Sequence, residues 1–104
     1  MQWQKSWHPS PPETVLLEEF MKPLNISQDK LAEDINVPLR RISQIISGTK
    51  EISADTALRL GRYFSIEPEF WINLQARYNM KKARSKLGAR LDKEVKVHSA
   101  QAAR

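Results

Sequence analysis

Residues 27–48, SQDKLAEDINVPLRRISQIISG, constrain the fold more than any other stretch of the chain. They read as two short helices joined by a tight turn. Ser27 is a good N-cap, and Asp29 in the next turn complements the positive end of the helix dipole. Leu31 and Ile35 fall one helical turn apart and face inward, with the small Ala32 where a crossing helix comes close. Asn36 supplies the left-handed residue that a sharp turn between helices needs. The second helix starts at Pro38, whose fixed φ and missing N–H suit a first helical position, and ends before Gly48. Ile42, Ile45 and Ile46 make its buried face.

Three further helices follow from the same signals. One runs from about Pro12 to Met21, with Glu13 at its positive end and Pro23 stopping it. Its buried stripe is Leu16, Phe20 and one of Val15 or Leu17. Another is capped by Ser53, carries Asp55 in its first turn, and has Ala54, Ala57, Leu58, Gly61 and Phe64 as its inner stripe. Gly61 in mid-helix costs about 1 kcal/mol against Ala, which points to close packing there. The last begins near Pro68 and is apolar on two faces. Phe70, Trp71, Leu74 and Tyr78 form one stripe, and Ile72, Ala76 and Met80 form the other. A surface helix of a small monomer needs one stripe, so the second is read as a subunit interface. The competing reading is a helix covered on both sides by the two ends of the chain. This helix continues to Lys86 before Gly88, and disorder is expected after Val97. No strand signal or internal repeat stands out, so the expected class is all-α.

The chain has 104 residues, enough for one small domain. It divides into an extended arm over 1–11, with Trp3, Trp7 and prolines at 9 and 11; a domain over 12–80; and a basic tail over 81–104, partly helical and then disordered. The tryptophans either fold back on the domain or serve a partner. The formal charge of +5 is unevenly placed. Residues 81–104 hold eight basic side chains against Asp92 and Glu94, whereas residues 1–80 hold nine basic and ten acidic ones. The tail therefore suits DNA phosphates, or is simply a solvated end.

Composition excludes several classes. With no cysteine there is no disulfide and no thiolate metal site. No apolar run approaches the roughly 20 residues of a membrane span, and the first residues lack a secretory apolar core, so no membrane role and a cytoplasmic location are expected. Three glycines leave no glycine-rich phosphate loop, so no cofactor is implied. His8 and His98 stand alone, and Glu18, Glu19, Glu33 and Asp34 fall on solvent faces. Catalysis has nothing to build on, and the chain is read as not an enzyme.

What remains is a binding surface. The outward positions of the second short helix are Leu39, Arg40, Arg41, Ser43, Gln44 and Ser47. Arginine pairs bidentately with a guanine edge and glutamine with adenine, so this is how a chain looks when it lays a helix into the major groove of DNA. Leu39 would meet a thymine methyl, while Arg41 and Ser43 lie nearer the edges. Gln28 at the start of the preceding helix, with Thr49 and Lys50 just after the second, would meet phosphates.

Three stretches carry a family resemblance: WHP with EEF and KPLNISQDKLAEDINVP, then ISQIISGTKEISADTALRLGRYF, then PEFWINLQARYNM. From His8 to about Met80 the chain resembles the HigA-type (VapI-like) antitoxins of the Xre/Cro-like helix-turn-helix group. The resemblance implies an all-α, five-helix, Xre/lambda-repressor-like DNA-binding domain acting as a homodimer. It implies two partners: double-stranded operator DNA, read so as to repress the chain's own operon, and a HigB-like toxin of RelE-like fold that cleaves mRNA. Carried over, base contacts fall on Pro38, Leu39, Arg40 and Gln44, with Arg41 and Ser43 beside them, and phosphate contacts on Gln28, Ser47 and Thr49. Dimer contacts fall on Phe70, Trp71, Ile72, Leu74, Gln75 and Tyr78. The family usually has His-Pro-Gly-Glu ahead of its first helix; here His8-Pro9-Ser10-Pro11-Pro12-Glu13 makes a longer, stiffer lead-in. A solitary regulator without a toxin is the alternative reading.

Overall fold

The computed structural model describes residues 11–98. Trp3, Trp7, His8 and the tail end from residue 99 lie outside the described residues.

Helix α1 opens with Pro12 at its first position and a turn of α-helix over Pro12–Thr14. It then widens into a π-helix over Val15–Met21, closed by the Lys22 N–H donating to Leu17 O at 2.9 Å. The pitch decides what is buried. In an α-helix, residues five apart diverge by about 140°, but the wider turn brings them to one side. Leu16 and Met21 are thus both fully buried, while Phe20, Val15 and Leu17 pack at the margin of the core. An α-helical stripe could not include Met21.

Helix α2 spans Gln28–Ile35 and α3 spans Leu39–Ser47. The Ser27 hydroxyl accepts the Lys30 N–H at 3.1 Å, and Asn36 is left-handed (φ 59°, ψ 51°), so cap and turn form as their chemistry dictates. Pro38 sits one residue before α3 as its N-cap rather than inside it, and Gly48 ends it at φ 81°. Ile42 and Ile45 are fully buried; Ile46 is half-buried.

Helix α4, Ala54–Phe64, is capped by Ser53, whose hydroxyl accepts the Thr56 N–H at 3.2 Å. Its inner stripe departs from expectation. Leu58 is 60 % exposed and Ala54 is exposed, while Thr56 and Leu60 are fully buried. Ala57, Leu60, Gly61 and Phe64 follow the i, i+3, i+4, i+7 spacing, and Leu58 lies about 100° off that line. Gly61 has the close approach its cost implied. A Cβ there would lie 2.7 Å from Ile66 O and 3.0 Å from Pro68 N, so the chain folds back into α5 directly over the bare backbone.

Helix α5 runs from Pro68 to Leu87, about 30 Å, and is continuous through residues 80–81, where the charge changes but the backbone does not. Trp71 is its one fully buried residue. It anchors an aromatic cluster with ring centroids 5.1 Å from Phe20 and 5.0 Å from Phe70, while Phe20 lies 4.9 Å from Phe64. A short sixth helix, α6 over Arg90–Glu94, follows Gly88 and buries nothing. No strand occurs among the described residues, and the class is all-α as expected. The core of Leu16, Met21, Leu31, Ile35, Ile42, Ile45, Ile52, Leu60 and Trp71 lies where α1 to α4 meet the first turns of α5.

Candidate nucleic-acid interface

The exposed face of α3 follows from its register. Ile42 and Ile45 point into the core, so the positions opposite are Arg40, Ser43, Gln44 and Ser47, with Leu39 and Arg41 on the flanks. Leu39 is 45 % exposed, a large apolar side chain at the tip of a short helix that no described residue covers. Arg40 and Arg41 are exposed and make no ion pair among the described residues, and no acid stands in the first turn of α3. A cationic helix tip with the half-buried Gln44 one turn further on has the donor and acceptor types that base edges require.

The supporting shell is more specific than the pattern alone indicated. The Ser43 hydroxyl donates to Gln28 Oε1 at 3.0 Å, across the 15 residues that separate them. This leaves the Gln28 amide protons as outward donors at the start of α2, where phosphate contacts suit the dipole. Ser43, expected beside the bases, therefore positions Gln28.

At the far end, the Gln44 carbonyl accepts the Thr49 N–H at 3.0 Å, the Lys50 N–H at 3.2 Å, the Ser47 hydroxyl at 3.1 Å and the Thr49 hydroxyl at 3.2 Å. Ser47 and Thr49 also lie 3.1 Å apart. These groups close the helix, so a phosphate reaches either hydroxyl proton only after a side-chain rotation. Lys50, exposed and without an ion-pair partner among the described residues, is the free cation at that end.

Two contacts that hold this geometry escaped the sequence reading. Arg59 of α4 donates from Nη1 to Ile35 O at 2.9 Å and Asn36 O at 3.3 Å, while its Nε pairs with Asp55 at 2.6 Å. The guanidinium so caps the end of α2 and fixes the turn between α2 and α3. Tyr63 donates to Asp34 Oδ2 at 2.6 Å, with Lys30 3.3 Å from the same carboxylate. The Tyr63 hydroxyl, then burial, then Lys30 act on Asp34, and the sum holds its carboxyl below the ordinary range. The same bond raises the Tyr63 phenol.

The expected dimer residues divide. Trp71 has no exposed surface and belongs to the chain's own core, which corrects its place at an interface. Gln75 is also engaged within the chain. Its Oε1 accepts the Ile52 N–H at 3.0 Å, its Nε2 donates to Asn79 Oδ1 at 3.3 Å, and Asn79 donates to Glu51 Oε2 at 3.0 Å. This strut ties α5 to the loop that follows α3. Phe70, Leu74 and Tyr78 are half-buried, whereas Ile72 is 37 % and Met80 50 % exposed, with Ala76 exposed between them. No helix among the described residues is long and apolar enough to cross a membrane.

Comparison with known proteins agrees with this geometry. The helix-turn-helix family model matches residues 17–71, which cover the core helices and the outward face of α3. Virulence-associated protein I of Dichelobacter nodosus is 42 % identical over 72 residues, covering 69 % of this chain and 67 % of that protein. The solved structure of a HigA-family addiction module antidote protein from Coxiella burnetii superimposes with a TM-score of 0.81 at 40 % identity, over 88 % of this chain and 99 % of that one. The Pseudomonas aeruginosa antitoxin HigA, solved with the higBA promoter, gives a TM-score of 0.80 at 35 % identity, over 86 % and 97 % of the two chains.

Proposed function

The chain belongs to the helix-turn-helix family, in its HigA-type antitoxin group, and from that premise we propose that it represses its own operon and neutralises a HigB/RelE-like mRNA-cleaving toxin. The family is one of DNA-binding regulators and antitoxins, not of enzymes.

The observation that carries the DNA reading is α3. It presents Leu39, Arg40, Arg41 and Gln44 outward on a frame fixed by Ser27, Asn36, Arg59 and Gly48. In this reading Arg40 and Gln44 contact bases, with Pro38, Leu39 and Arg41 beside them, while Ser43 holds Gln28 in place. Gln28, Ser47, Thr49 and Lys50 contact phosphates. The relative solved with the higBA promoter supports the operator as a target. A homodimer places two copies of α3 about one helical turn apart, roughly 34 Å, on two half-sites. The exposed stripe of Ile72, Ala76 and Met80 supplies the apolar surface for that dimer.

Colony formation tests the toxin half. The small reading frame beside this one is expressed alone and together with the chain. Killing by the neighbour, rescued by the chain, is the expected result. A harmless neighbour, or killing without rescue, would leave a solitary repressor.

A further inference from the structure

The second half of α5 carries a charge pattern that the recognition helix does not explain. Residues 11–76 hold ten acidic and seven basic side chains, so the folded body is net negative. Residues 77–96 hold eight basic side chains against Asp92 and Glu94. Among the described residues Arg90 pairs with Glu94, at 3.0 Å. Arg77, Lys81, Arg84, Lys86, Lys93 and Lys96 are exposed and make no ion pair there. Lys82 lies 5.0 Å from the Tyr78 ring centroid, which restrains its ammonium without neutralising it.

These cations are not spread evenly around the helix with respect to the rest of the molecule. Gln75 and Asn79 face the Glu51–Ile52 loop through the strut described above. Lys82 and Lys86 continue that face at i+7 and i+11 from Gln75, all four within about 60° of arc. The loop they follow begins with Thr49 and Lys50 at the end of α3. Glu51, whose carboxylate accepts from Asn79, is the acid that faces this stripe at its base. Lys82 and Lys86 stand about 10 and 16 Å beyond Gln75 along the axis and about 6 Å from each other, close to the spacing of neighbouring phosphates on one DNA strand. Arg77 and Arg84 point to the other side of α5, more than about 140° from the centre of this stripe.

We infer that Lys82 and Lys86 form a second phosphate-contact site, continuing from Lys50 along the backbone of the same DNA duplex that α3 enters. The inference rests on the DNA reading of α3 and extends the footprint beyond the helix-turn-helix.

The test is fluorescence-anisotropy titration of the full chain against a random-sequence 30-base-pair duplex over a series of salt concentrations. A duplex without an operator isolates the backbone term, whose logarithmic salt slope grows by about 0.9 per phosphate contact. The Lys82→Gln/Lys86→Gln variant should lose about two units of slope per chain bound. The Arg77→Gln/Arg84→Gln variant removes the same charge from the other side and should keep the wild-type slope. Equal slopes in wild type and the lysine variant, or equal losses in both variants, would overturn the site. A wild-type chain that binds no duplex even at low salt would overturn the reading of α3 as well, so the two failures are distinguishable.

Discussion

At the scale of single residues, two cations at the two ends of α3 should behave differently. Arg40 faces outward in the first turn of α3, where a guanidinium meets base edges, whereas Lys50 follows the helix end. Arg40→Ala should cost about 1–3 kcal/mol of operator binding and relax the preference at one base pair. Equal weakening on every sequence would remove it from base readout. Lys50→Ala should weaken all duplexes alike and lower the salt slope by about 0.9.

The Asp34–Tyr63 bond gives a residue-scale effect on stability instead. The folded-state Asp34 carboxyl ionises below its ordinary range, chiefly because Tyr63 donates to it. Its contribution is therefore complete above the unfolded carboxylate value, near pH 4, and is lost as pH falls through the folded one. Tyr63 is shifted up, so its contribution holds below the ordinary phenol value near pH 10 and is lost as pH rises past the folded one. The melting temperatures of wild type and Tyr63→Phe should differ at neutral pH and converge in acid. A difference that persists unchanged to pH 2–3 would assign the effect of Tyr63 to packing.

At the scale of elements, the junction of α4 and α5 makes the sharpest claim. Replacing a mid-helix glycine by alanine ordinarily gains about 1 kcal/mol. At Gly61 the new methyl would meet the Ile66 carbonyl at 2.7 Å and the Pro68 nitrogen at 3.0 Å, both backbone atoms that no side-chain rotation can clear. Gly61→Ala should therefore lower unfolding stability in urea by about 1–3 kcal/mol, the usual cost of overpacking. A stabilised variant would mean that the turn relaxes freely.

The same junction shows how much of the fold is legible. Ser27, Asn36, Gly48 and Ser53 were readable because a cap or a left-handed turn is a bargain between a side chain and backbone two or three residues away. Left-handed Ser65, at φ 59°, carries no such composition signal. Leu60 was legible too, since Ala57, Leu60, Gly61 and Phe64 share one helical line and Leu58, expected on the inner stripe in its place, stands about 100° off that line. Met21 was hidden by the π-helix. Arg59 and Gln75 reach partners more than 20 residues away, so nothing local announces them. The candidate base-reading face was legible, since it is simply the complement of the Ile42 and Ile45 stripe, but the bonds that aim it were not.

At the scale of the whole molecule, the two faces of α5 set opposite demands. The face toward the core is anchored by Trp71 and flanked by Leu74. The opposite face carries Ile72, Ala76 and Met80 and continues through Ala83 and Leu87, all within about 80° of arc. Two such stripes packed together bury apolar surface but also bring two strongly cationic helices together. Added salt screens that repulsion, so it should tighten the dimer while weakening DNA binding. Sedimentation equilibrium across a salt series reads the first effect and duplex titration the second. The Ile72→Asp/Met80→Asp variant separates the roles further. Both positions are exposed in the single chain, so its helicity should be kept while the dimer is lost. Operator affinity should then fall about 100-fold or more, since each copy of α3 would bind its half-site without the other. A variant that stays dimeric would place the interface on another face of the chain, and a monomer that binds the operator undiminished would show that one α3 suffices.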